Sequence, residues 1–488
     1  MENTAEKELN TAKNKQKPNL EYEFATTTTL HGISRVAESN GARAKTLWVL
    51  VLLIAGCFYV VVTVDRVRAY LKFDANTNVI VEFNDTLEFP AVTICNYNRF
   101  MNNKISEDDT KYVRHLLELN EDLVDYEEDF NYTHIDDLFG EGFNYTQFAL
   151  TTGFTLNESV IRCDWKGVAY SCNALNFSSY YSPSYGQCYT FNTRGDQHSH
   201  EQSQQGIGNG LQLIVDIGQS EYTETFKSGH LEAGLKFAIH PRDELPLIGT
   251  MGLSAAPGFH TYASMRRVRH INLPEPWGVC GTGETMAVTG DSRKYSRNTC
   301  LRICRRDAII EVCGCQPFGY ERAVEPDSSE LVPLCDIDRF YCVAHALERY
   351  RASFSALDCT CPVACEYITY ETALSVAKYP SQSVINDILS GFPDDEASKA
   401  GAVDAEYLDE NLVYLDVYFE ELSTITYKQV EALPFTALVG DMGGQLGLFL
   451  GASIITGAEL LDYAIRRLKL LILKVKSAKK IRSGLMRS

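Results

Sequence analysis

The residues able to do chemistry in this 488-residue chain crowd into one apolar run near its C-terminal end. Asp441-Met-Gly-Gly-Gln-Leu-Gly-Leu-Phe-Leu-Gly-Ala-Ser453 opens a hydrophobic stretch reaching about Ile465. The stretch holds the carboxylates Asp441, Glu459 and Asp462 and the glycines Gly443, Gly444, Gly447 and Gly451. A carboxylate inside a bilayer is costly unless it faces water or a bundle interior, so a span keeping three is expected to line a cavity. Gly444 and Gly447 let helix backbones approach closely along that wall. Gly451-Ala452-Ser453 is small enough for the backbone to leave the helix and turn carbonyls toward an ion, which a membrane tolerates only along a pore. The chemistry is ion coordination and passage. The plainer alternative is a membrane anchor with a glycine dimerisation stripe.

Such a wall needs a second span and a frame. The composition, 45% hydrophobic and 22% charged, is that of an ordinary globular protein, so the distribution decides the class. Thr46–Val64 contains 19 residues without a charge, about 28 Å as a helix and close to the thickness of a bilayer core. Mostly polar residues 1–45 precede it, so it is expected to be a retained transmembrane helix rather than a signal peptide. The expected organisation is a cytoplasmic N-terminus (1–45), a first span (46–65), an extracellular domain (66–434), a second span (435–465) and a basic cytoplasmic tail (466–488). From Arg466 the tail carries Lys and Arg and no acid, which places it inside. Five glycosylation sequons, at Asn84, Asn131, Asn144, Asn157 and Asn176, fall between the spans, as do fourteen of the fifteen cysteines. Both suit an oxidising exterior. A multi-pass protein of the plasma membrane with both termini cytoplasmic follows. The chain's formal charge is −19, and subtracting the termini and spans leaves about −25 on the middle region, where it attracts cations and repels nucleic acid.

Within that region β-branched runs predict strands at 79–83, 89–95, 187–191, 211–217, 233–240 and 265–272. A last strand is expected at 411–419, with 420–427 as a link into a short one. Residues 106–130 have a helical period. From Cys280 to Cys365 ten cysteines occur, including Cys313-Gly-Cys315 and Cys359-Thr-Cys361. Zinc is disfavoured by the extracellular setting and the absence of finger spacing, so a disulfide-stapled helical subdomain is expected, without metal or cofactor. An enzyme is not expected either, because the chain lacks a nucleotide loop, G-x-S-x-G and H-E-x-x-H.

In order along the chain, His31-Gly32, FPAVTICN (Phe89–Asn96), YGQCYTFN (Tyr185–Asn192), GIGNGL (Gly206–Leu211), APGF (Ala256–Phe259), PEPWGVC (Pro274–Cys280), the cysteine cluster and GDMGGQLGLFLGAS (Gly440–Ser453) resemble the degenerin/epithelial sodium channel superfamily. Within it they are most similar to the acid-sensing ion channels. The resemblance implies an α+β membrane protein: two transmembrane helices flank a large, disulfide-rich, hand-like domain of palm, finger and thumb (thumb about 280–365). It implies a homo- or heterotrimer that conducts sodium and is blocked by amiloride. Carried over by position, Gly451, Ala452 and Ser453 would select for sodium, and His31-Gly32 would fold back beneath them. Asp441 would stand at the outer mouth, with Glu459 and Asp462 on the inner side. Ala437 would be the small residue whose enlargement holds such channels open. Trp277 would stack on Phe73, Glu410 would be a palm glutamate, and Leu422-Ser423 would be the linker that flips in desensitisation. The implied bridges are Cys95–Cys188, Cys163–Cys172, Cys280–Cys365, Cys300–Cys361, Cys304–Cys359, Cys313–Cys342 and Cys315–Cys335.

Departures bear on gating. Asp74-Ala75 replaces a His pair, Gln204 replaces a lysine, and TETFKSGHL (Thr223–Leu231) replaces an acidic pair, offering Lys227 and His230. Glu325, Asp327 and Glu330 remain in the thumb. The expected function is an amiloride-sensitive, sodium-selective trimeric channel of the acid-sensing type, opened by an extracellular ligand, protons first. The alternatives are the same channel opened by a neuropeptide or bile acid or standing open. A non-conducting two-span surface receptor is the alternative of another class. An ATP-gated channel is disfavoured, because this acidic extracellular region has no evident cluster of Lys and Arg for phosphate capture.

Overall fold

The computed structural model describes residues 20–110, 113, 143–194, 199–226, 230–281, 287–288, 291–292, 295–325, 330–352, 359, 361–390 and 404–485. Most of the helical segment expected at 106–130 lies outside the described residues, as do Asn131, Lys227 and Asp327. The chain forms two compact units, residues 1–76 with 430–488, and residues 77–429.

The helices that matter below are α1 (Leu20–Thr27), α2 (Ile33–Glu38), α3 (Ala42–Tyr70), α4 (Arg297–Cys313), α5 (Phe340–Ala352), α6 (Phe435–Leu450) and α7 (Ile454–Leu485). The first unit holds α1–α3, α6 and α7. Among the described residues α3 alone is a single helix long and apolar enough to cross a membrane, and α6 with α7 makes a second candidate bent by 73°. Apolar side chains line α3 on all sides, and Leu47, Leu53, Phe58 and Val61 are exposed, the pattern of a helix solvated by lipid. Beside it, α6 packs with ring contacts at Phe58–Phe449 and Tyr70–Phe435. The span expected at 435–465 is therefore two helices with a non-helical break at 451–453.

In the larger unit the strands are β1 (Ala75–Phe83), β2 (Ala91–Asn96), β3 (Val160–Trp165), β4 (Phe177–Ser182), β5 (Gly186–Phe191), β6 (Leu211–Asp216), β7 (Leu235–His240), β8 (Leu253–Ala255), β9 (Phe259–Ile271), β10 (Glu366–Lys378) and β11 (Leu412–Glu431). One sheet runs β10-β9-β11-β6-β3 with β1 on β11; the other runs β8-β7-β2-β5-β4. Between them lies a core that includes Phe89, Ile94, Phe191, Leu211, Leu213, Phe237 and Phe419, each essentially without exposed surface. Phe89 meets Trp165, Phe191 and Phe419 edge-on at 4.8–6.4 Å, the preferred aromatic geometry.

The single strand β11 replaces the expected strand, link and short strand. Thr424, Ile425 and Thr426 resume the β-branched pattern, and the four residues 420–423 are absorbed as a bulge against β9, where Met265 faces Phe419 but Arg267 faces Thr424. The cysteines form the bonds Cys95–Cys188, Cys163–Cys172, Cys280–Cys365, Cys300–Cys361, Cys304–Cys359, Cys313–Cys342 and Cys315–Cys335. Cys313–Cys342 joins α4 to α5, and Cys300–Cys361 and Cys304–Cys359 tie α4 to the segment after α5; the small core of these helices holds Ile309, Val343, Ala346 and Leu347. Cys57 is free.

Candidate pore segment and gating linker

In the membrane unit the break follows from local chemistry. Gly451 has φ +66°, a left-handed conformation that side chains resist, and it ends α6 with its N–H donating to Gly447 O at 2.9 Å. A Cβ there would lie 2.3 Å from the His31 ring. His31 N donates to Leu450 O at 3.0 Å, satisfying one of the carbonyls left open at the helix end. Gly32 abuts Leu52 of α3. The N-terminal segment thus wedges between the break and the first span.

Each carboxylate of the second span has a partner inside the chain. Asp441 lies 3.7 Å from Arg66, and Asp462 2.7 Å from Arg466. Glu459 accepts from Thr28 Oγ1, Thr29 N and Thr29 Oγ1 at 3.1, 2.9 and 3.2 Å. Their cost in an apolar span is thus met partly by neighbours in the chain. Gly444 and Gly447 lie along α6, and Ala437 is half-buried in its first turn. Phe73, φ 53°, lies in the turn that follows α3, with its ring 5.7 Å from Tyr70. Trp277 is half-buried in a loop of the other unit.

In the larger unit, Leu422-Ser423 falls inside the β11 bulge. Leu422 O accepts from Asn84 N at 2.8 Å, which ties the bulge to the segment after β1. Arg266 grips Glu420 with two bonds of 3.0 Å. A cavity of about 400 Å³ opens here between Phe83, Asn84, Asp85, Gln205, Glu421 and Leu422. One strand pair away, the Gly206–Gly210 loop lies directly on β11: Gly206 N donates to Phe419 O at 2.9 Å. A Cβ on Gly210 would stand 2.0 Å from Val417 O, so only glycine permits this approach.

That loop encloses a carboxylate the sequence reading missed. Asp416 is fully buried. Its Oδ2 accepts from Gly208 N (3.0 Å) and Gln212 Nε2 (3.1 Å), and Oδ1 has no partner. Burial pushes the carboxyl up to about 6, against the downward pull of those two bonds. The alternation of 411–419 was the available signal, since an acid on an otherwise apolar strand is rarely buried without a task.

Other groups are poorer candidates for acid sensing. Glu410 is exposed on the short helix Ala405–Asn411. His260, stacked on Tyr414 at 3.6 Å and Tyr262 at 3.9 Å, is lowered by burial to about 4, and burial also lowers His270. His230 is buried, with Nε2–H donating to Ser184 O at 2.7 Å and its ring stacked on Tyr185. The TETFKSGHL segment holds one half of a buried pair, Glu224 with Arg99 at 2.9 Å. Asn84, Asn144, Asn157 and Asn176 are exposed. Among the described residues no group of three His, Cys, Asp or Glu is placed to hold a metal.

A model of the family described as "amiloride-sensitive sodium channel" matches residues 24–463. Acid-sensing ion channel 1A of Danio rerio is 31% identical over 469 residues, 93% of this chain and 89% of that protein. Acid-sensing ion channel 1 of Gallus gallus is 31% identical, covering 91% and 84%. The bile acid-sensitive ion channel of Homo sapiens is 28% identical, covering 92% and 86%.

Proposed function

Because the chain belongs to the amiloride-sensitive sodium channel family, whose members are ion channels and not enzymes, we propose that it forms a sodium-selective, amiloride-blocked trimer opened by an extracellular ligand, protons first. The observation that carries the conducting role is the helix break at 451–453 inside an apolar segment, with His31 against Gly451. Non-helical backbone at membrane depth is tolerated where it lines a water-filled path. Gly451, Ala452 and Ser453 are then the selective constriction. Asp441, Gly444, Gly447, Glu459 and Asp462 line the path, with 46–65 and 435–465 in the membrane and both termini inside. Leu422-Ser423 is the linker that moves on desensitisation.

Proton opening is supported by Asp416, whose value near 6 lies where extracellular acidification can reach it. A second reading is opening by a bile acid. It draws on the similarity to the human bile acid-sensitive channel, on the absence of a His pair at Asp74-Ala75, and on the cavity beside Leu422.

The test is whole-cell recording from cells expressing this chain alone, stepping external pH from alkaline to acid with and without amiloride. An inward, amiloride-blocked sodium current on acidification is expected. A current appearing only with bile acid selects the second reading, and surface protein without current under any of these conditions refutes the channel.

A further inference from the structure

Asn84-Asp85-Thr86 is an acceptor triplet for N-linked sugar, and it forms the turn between β1 and the short strand Leu87–Glu88. Both ends of this turn are tied down. β1 pairs with β11, and Leu87-Glu88 pairs with Glu201-Gln202. Leu87 is buried, Glu88 meets Arg242 at 2.9 Å, and Gln202 Oε1 accepts the Phe419 N–H at 3.1 Å. The three residues between are exposed. A sugar on Asn84 therefore stands on a fixed base that is open to solvent.

Asn84 is placed to join that sugar to the β11 bulge. Its Nδ2 donates to Glu82 O at 3.3 Å. Linkage to sugar replaces one of the two amide hydrogens, so the other can keep this bond and limit the direction in which the sugar leaves. Its backbone N–H donates to Leu422 O at 2.8 Å. One residue thus holds the sugar by its side chain and the bulge by its main chain. The cavity of about 400 Å³ beside it is lined by Phe83, Asn84, Asp85, Gln205, Glu421 and Leu422, and Phe83 is 79% exposed. N-Acetylglucosamine has an apolar face of C–H bonds, and laying that face on the Phe83 ring takes apolar surface of both out of water. Asp85, Gln205 and Glu421 offer polar partners to its hydroxyl and acetamide groups.

We propose that Asn84 carries an N-linked glycan whose first sugar seats in this cavity on Phe83, and that the seated sugar restrains the β11 bulge. The functional half of this inference rests on the reading of Leu422-Ser423 as the linker that moves on desensitisation. For Leu422 to swing away, its carbonyl must leave the Asn84 N–H and the sugar must leave the cavity. The glycan therefore acts as a brake on desensitisation.

The test compares the full-length chain with Thr86→Ala, Thr86→Ser, Asn84→Gln and Phe83→Ala. Thr86→Ala abolishes the triplet but leaves Asn84 and its bond to Leu422 in place, whereas Thr86→Ser and Phe83→Ala keep the triplet. Mass spectrometry of surface protein reads occupancy of Asn84, which is expected in the wild type, Thr86→Ser and Phe83→Ala. Current decay during a sustained acid step reads the brake. Decay should be several-fold faster in Thr86→Ala, Asn84→Gln and Phe83→Ala, and of wild-type rate in Thr86→Ser. Enzymatic removal of N-glycans from channels already at the surface, which bypasses any effect on folding, should speed decay in the wild type and leave Thr86→Ala unchanged.

An unoccupied Asn84 in surface protein would overturn the proposal, as would wild-type decay in both Thr86→Ala and Asn84→Gln. Wild-type decay in glycosylated Phe83→Ala would overturn the seat on that ring. If the wild-type channel does not conduct or its current does not decay, the proposed function or its linker fails. Hydrogen exchange of peptides covering residues 80–88 and 418–425 in purified protein, which needs no current, then decides whether the sugar holds the bulge. Exchange several-fold faster without the glycan supports the restraint, and equal exchange refutes it.

Discussion

At the scale of single residues, Asp416 is the group with the sharpest consequence. Its folded value of about 6 stands above the ordinary 3.8. A carboxyl raised in this way takes up its proton in the folded protein first. Stability therefore rises as pH falls from about 6 toward 4, and the ionised group weakens the fold above 6. Asp416→Asn removes the charge and keeps an acceptor for Gly208. It should stabilise detergent-solubilised protein at pH 7.4 by at most about 3 kcal/mol, with no gain at pH 4, as read from thermal melting. Equal gains at both pH values would assign the effect to something other than the charge. Recorded as current, the same variant should lose the part of the acid response centred near pH 6.

At the scale of elements, two irregularities carry the proposed function, the β11 bulge and the break between α6 and α7. Both interrupt strong local propensity. Elements forced out of regular geometry at a specific place and held by tertiary contacts are typical of functional sites. Ala437, half-buried near the start of α6, tests how tightly that helix is held. Ala437→Trp should give standing, amiloride-sensitive current without ligand. A variant at normal surface density that stays closed until stimulated would remove Ala437 from the gating elements. Glu459 and Asp462 show what hydropathy leaves out, since Thr28, Thr29 and Arg466 reach them from within the chain.

At the scale of the whole molecule, the larger unit joins two regimes of stabilisation. The paired sheets rest on a large aromatic core, whereas α4 and α5 enclose a few aliphatic side chains among cystines. The small helical region leans on its bridges. Replacing Cys313 and Cys342 together by Ala should cost about 3 kcal/mol and show first as protease cleavage within 297–352, with the sheets intact. Cleavage spread evenly over the larger unit would mean that it unfolds as one body. The acidic surface acts at this scale as well, by raising the local concentration of cations near the protein.

The sequence alone determined the class of molecule, because a 19-residue uncharged run, a carboxylate-bearing glycine-rich run and an even set of cysteines are local facts with direct physical meaning. Its ordered motifs also carried the resemblance that the family match establishes, and seven strands were legible from β-branching, whereas Val160–Trp165, Phe177–Ser182, Leu253–Ala255 and Glu366–Lys378 were not. Cystine connectivity was not derivable from spacing, since fourteen cysteines allow far too many pairings, and it entered only through the resemblance. What tertiary structure alone decided was partnership. Asp416 looked like one acid on a strand until the Gly206–Gly210 loop closed over it. Glu459 stood as a lone acid in an apolar run until residues 430 positions away docked on it. Burial and hydrogen bonding depend on atoms brought together from distant parts of the chain, and no local pattern of residue types encodes which atoms those will be.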